Sequence, residues 1–75
     1  MQVIFKLKDS IIQMKDRIDA EGKYITTSTI NGEKKTILKK CEDEEETNKL
    51  LNNIFFVIDR GIQDNKKIVS IILEE

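Results

Sequence analysis

Between Glu42 and Gly61 the sequence carries one long amphipathic pattern, and no other stretch constrains the fold as much. The acids Glu42, Asp43, Glu44, Glu45 and Glu46 stand in a row at its start. A helix N-terminus leaves N–H groups unpaired there, and its dipole favours negative side chains by roughly 0.3–1 kcal/mol each. Behind them, at 100° per residue, Thr47, Leu50, Leu51, Ile54, Val57, Ile58 and Gly61 fall on one stripe, with Phe55 at its edge. Arg60 supplies a cation for the last turn, and Gly61 reads as the stop. A helix of this kind buries its stripe against a sheet, so strands have to come from the rest of the chain.

Strand patterns are present on both sides of it. Gln2 to Leu7 alternates, with Val3, Phe5 and Leu7 on one face. Tyr24 to Ile30 is rich in Thr and β-branched residues, and Glu33 to Lys40 follows it after Asn31-Gly32. That dipeptide suits a type I′ hairpin, whose central positions both need positive φ. Lys67 to Leu73 reads as a last strand that is apolar on both faces, Ile68 and Ile72 on one and Val69, Ile71 and Leu73 on the other. Lys66 and Lys67 before it and Glu74 and Glu75 after it read as charges that discourage aggregation.

Residues 10–21 admit two readings. Ser10 and Gln13 form a capping-box spacing, Ile11, Met14 and Ile18 follow at helical intervals, and Gly22 suits a helix end, which together suggest a short helix over Ser10–Glu21. Alternatively, Asp19 to Lys23 is a hairpin turn with Gly22 left-handed, and Ile12, Met14 and Ile18 share one face of a strand. With the helix, the order is β-α-β-β-α-β in an α+β domain. It resembles the ferredoxin-like unit, which implies a small antiparallel sheet with helices on one face. Without it, the expectation is a β-meander of four or more strands crossed by one long helix. Either way residues 1–75 make a single domain, since a chain this short has a thin core and no linker.

Composition narrows the chemistry. The chain has no His, which removes Ser-His-Asp and Cys-His catalysis and every His-containing metal site. The single Cys41 cannot form an intramolecular disulfide or a zinc pair, and it reads as a semi-buried strand-end residue. No apolar run exceeds Ile54–Ile58, so no segment is long enough to span a membrane, and no signal peptide is visible. The expectation is a cytoplasmic protein, with no catalytic residue, metal site or cofactor. Thirteen Ile and eleven Lys against one Ala and two Arg suggest AT-rich coding, as in a low-GC bacterium, a phage or a comparable virus.

One feature asks for a partner. Phe56 falls opposite the stripe, among Glu45, Lys49, Asn52, Asp59 and Arg60. A large aromatic ringed by polar side chains has the anatomy of an interface hot spot. The leading expectation is therefore a non-enzymatic interaction protein, either a homo-oligomer or a regulator or inhibitor that docks on a larger protein. Phe56, Lys49, Asn52 and Arg60 are its candidate contact residues. The alternative is nucleic-acid binding through Lys34, Lys35, Lys39 and Lys40 around the 31–32 hairpin, with Lys6 and Lys8 on a neighbouring strand. Against it stand a net charge of −1 and a single Tyr with no stacking partner.

Overall fold

A computed structural model describes residues 1–73, and the charges expected after the last strand, Glu74 and Glu75, lie outside the described residues. The elements run β1 (Gln2–Lys6), β2 (Ile11–Gln13), β3 (Arg17–Glu21), β4 (Tyr24–Ser28), β5 (Thr36–Lys40), α1 (Glu44–Gln63) and β6 (Ile68–Ile72). They build two three-stranded sheets, ordered β2-β1-β6 and β3-β4-β5. The second is an antiparallel meander. In the first, β1 pairs antiparallel with β2 and parallel with β6, so β5, α1 and β6 carry the chain from one sheet to the other. The fold is α+β, but the ferredoxin-like order is overturned, because it needs one four-stranded sheet and two helices. The meander of four or more strands is met by three, β3 to β5, and the expectation misses the separate sheet that contains the parallel pair.

Residues 10–21 form strands and no helix. The Leu7 N–H donates to the Ser10 carbonyl at 2.8 Å, closing a hairpin that sets Lys6 against Ile11 and Phe5 against Ile12. The chain then leaves β1: the Met14 N–H still reaches the Val3 carbonyl, while the Lys15 N–H goes to Thr27 Oγ1 at 2.9 Å in the other sheet. Ile12, Met14, Ile18 and Ala20 all pack on the core, a period of two that helical spacing imitates over so short a segment. A lone helix of that length is marginal, and β1 and β4 each gain a hydrogen-bonded neighbour from the extended form.

The 31–32 turn also differs from expectation. Positive φ falls at Gly32 (84°) and Lys34 (52°), not at Asn31. Gly32 closes a turn back to the Thr29 carbonyl, and the Thr29 N–H donates to the Glu33 carbonyl. The strands stop at Ser28 and resume at Thr36 because the β2–β3 connection holds the loop open. Lys15 Nζ bonds the Lys34 carbonyl and Thr36 Oγ1, and the Asp16 carboxylate accepts the Ile30 N–H.

The helix begins where the acids indicate. Asp43 caps it, its Oδ1 accepting the Glu46 N–H at 2.8 Å, and Glu44 to Glu46 fill the first turn. It does not stop at Gly61, which lies inside it. The end is a Schellman arrangement around left-handed Asn65 (φ 55°), with the Lys66 N–H on the Gly61 carbonyl and the Asn65 N–H on the Ile62 carbonyl. Thr47, Ile54 and Gly61, seven residues apart, form the buried line, flanked by half-buried Leu50, Leu51 and Ile58. Ile54 meets Val3, Phe5, Ile18, Ile25, Leu38 and Leu73 in the core. Phe5 and Ile25 are fully buried, and each such side chain stabilises the fold by about 1.5–3 kcal/mol.

Candidate docking groove

Gly61 is the residue that positions the groove. Without a Cβ it lets Val69 of β6 lie directly against the helix backbone, with the Met1 sulfur beside it. Beside this contact lies an open cleft of about 200 Å³. Phe56, Val57, Arg60 and Gly61 form its helical bank, and Lys66, Ile68, Val69 and Ser70 form the other. Phe56 is 65% exposed and Ile68 54%, so the floor is covered while the two apolar rims remain in water.

The groove is cationic. Arg60 and Lys66 line it, and no carboxylate does. Arg60 reaches Asp64, one turn on, only at 3.9 Å between mostly exposed groups. Such a pair contributes little and leaves the guanidinium available to a carboxylate from outside.

The four contact residues inferred from the sequence divide. Phe56 and Arg60 stand together on the groove. Lys49 is about two turns away and pairs with Glu45 at 3.5 Å, and exposed Asn52 also lies outside the lining. Ile68, Ser70 and Lys66 are the residues that helix-wheel reasoning missed. The signal for Ile68 was the doubly apolar last strand, which single-element periodicity could not place beside Phe56.

The lysine cluster is partly engaged. Lys35 Nζ lies 2.7 and 2.9 Å from the Glu21 carboxylate oxygens, and Lys40 Nζ stands 6.0 Å from the centre of the Tyr24 ring. Lys39 is half-buried, and Lys34 occupies the left-handed position of the loop. Lys6 sits in the other sheet, so β1 is not the neighbour of β5. Nearby, Arg17 pairs with Asp19 through two short bonds, and those hydrogen bonds, then the carboxylate charge, raise the guanidinium pKa further.

Among the described residues, no cluster of three or more His, Cys, Asp or Glu side chains is placed to hold a metal ion, and no helix is long and apolar enough to cross a membrane. Cys41 is free and buried. Compared with protein-family models, curated proteins and solved structures, the chain matches none.

Proposed function

We propose that the protein is a small non-enzymatic protein–protein interaction module that seats its partner in the groove between α1 and β6. The observation that carries this reading is Phe56, a large ring standing in water at the rim of an apolar cleft in the company of Arg60. Interfaces concentrate their energy in aromatic and arginine anchors with a polar rim. The lysine-rich hairpin supports nucleic-acid binding less well, because Glu21 already neutralises Lys35 and the only aromatic on those strands is Tyr24.

Replacing Phe56 with photoreactive benzoylphenylalanine, in the cells that make the protein, tests this. A discrete adduct is expected from position 56 and none from Asn48, which is exposed elsewhere on the same helix. Equal labelling from both positions, or none from either, would overturn it.

A further inference from the structure

We infer that the groove and the strand beside it serve a second copy of this chain, through antiparallel pairing of β6 with β6 of the partner about a two-fold axis at Ser70. The inference rests on the docking reading above and names its occupant.

Backbone parity sets the register. The Gln2 N–H donates to the Lys67 carbonyl and the Leu73 N–H to the Lys6 carbonyl, each at 2.8–2.9 Å. In a parallel ladder the bonding residues alternate, so Lys67, Val69, Ile71 and Leu73 face β1. Ile68, Ser70 and Ile72 therefore turn their N–H and C=O groups to the other side, where no strand is paired with β6 among the described residues. An exposed edge of this kind is a template for another strand.

Side chains and charges then select the copy. With Ser70 opposite Ser70, each Ile68 faces an Ile72 on the outer surface, where these residues are 54% and 63% exposed in the monomer. One strand supplies both halves of the match, as a closed two-fold interface requires. The ends agree as well: Lys66 and Lys67 precede the strand, and Glu74 and Glu75 follow Leu73 in the sequence. Parallel stacking would set lysine against lysine, whereas antiparallel pairing keeps Lys66 and Lys67 of the two copies at opposite ends of the ladder. Phe56, Arg60 and Lys66 line the groove with Ile68 and Ser70, so they stand beside the strand that pairs.

Light scattering on the purified chain from micromolar to millimolar concentration provides the test. A dimer mass is expected. Ser70→Pro takes away the N–H aimed at the partner while the N–H and C=O groups of Val69 and Ile71 still face β1, so it weakens dimerisation roughly tenfold or more. Ile68→Lys and Ile72→Glu each weaken it, and the double variant restores it, because Lys then faces Glu. A monomer throughout, or a dimer indifferent to all these variants, overturns the inference. A monomer that still gives a heavier, foreign adduct from position 56 overturns the self-pairing alone and leaves the docking reading standing. A dimer abolished by Ser70→Pro but unmoved by Phe56→Asp supports strand pairing and removes Phe56 from the interface.

Discussion

Gly61 and Val69 meet so closely across the seam of α1 and β6 that a Cβ on Gly61 would overlap Val69 Cγ2. Two effects compete when Gly61 becomes Ala. Helix propensity favours Ala by about 1 kcal/mol, while forcing a methyl into a packed seam costs about 1–3 kcal/mol. The overlapping atom is half of a β-branched fork fixed to its strand and cannot swing aside cheaply. Gly61→Ala is therefore expected to lower stability by about 1 kcal/mol in urea titration. The loss shrinks in a Val69→Ala background, and additivity of the two substitutions would show that they do not touch.

Neighbouring threonines on β4 are expected to respond in opposite directions. Thr27 Oγ1 accepts the Lys15 N–H at 2.9 Å and donates to the Arg17 carbonyl at 3.0 Å, tying β4 to the β2–β3 connection. Thr27→Val strips the Lys15 N–H of this acceptor and the Arg17 carbonyl of its hydroxyl donor, and costs about 1–3 kcal/mol. Thr26 Oγ1 is equally buried and has no hydrogen-bond partner among the described residues. Thr26→Val keeps the shape, removes an unsatisfied hydroxyl and is expected to be neutral or stabilising by about 1 kcal/mol. Thermal midpoints that move together would refute the distinction.

At the other end of the helix, Asp43 carries the N-cap. Its carboxylate holds the Glu46 N–H, and its carbonyl accepts both the Thr47 N–H at 3.1 Å and the buried Thr47 hydroxyl at 2.8 Å. Asp43→Ala removes only the first of these and is expected to cost about 0.5–2 kcal/mol, while Asp43→Ser retains most of the stability. An alanine variant as stable as the parent would mean that the acids beside it, not the cap, hold the first turn.

What was legible in the sequence followed from how many residues carried each signal. The helix announced itself through seven stripe positions and a run of acids, which located its start to within that run without tertiary information, although not the cap at Asp43. Its end did, because Gly61 serves a close approach to Val69 and the left-handed residue is Asn65 instead. Residues 10–21 offered too few apolar positions to separate a period of 3.6 from a period of 2. The decision lay with β1 and β4, distant in sequence, which each needed a partner. The exposure of Phe56 was readable on the helix alone, whereas its place on a groove beside Ile68 and Ser70 required the parallel pairing of β1 with β6, a long-range contact that no local pattern encodes.

The loop after β4 exposes the same limit at one residue, and gives a last expectation. Asn31-Gly32 invited a two-residue turn, but the backbone demands left-handed conformation at Gly32 and again at Lys34. A side chain with a Cβ pays about 1–2 kcal/mol in that region. Lys34→Gly relieves this strain and adds about 0.4–1 kcal/mol of unfolded-chain entropy to be lost, so a net gain of about 0.5 kcal/mol is expected. The Lys34 carbonyl still accepts Lys15 Nζ, since only the side chain is removed. Gly32→Ala, in the same loop and with open space around the added methyl, is expected to lose about 1 kcal/mol from backbone strain alone. If Lys34→Gly instead lowers the urea midpoint, the lysine side chain contributes a contact that outweighs its strained backbone.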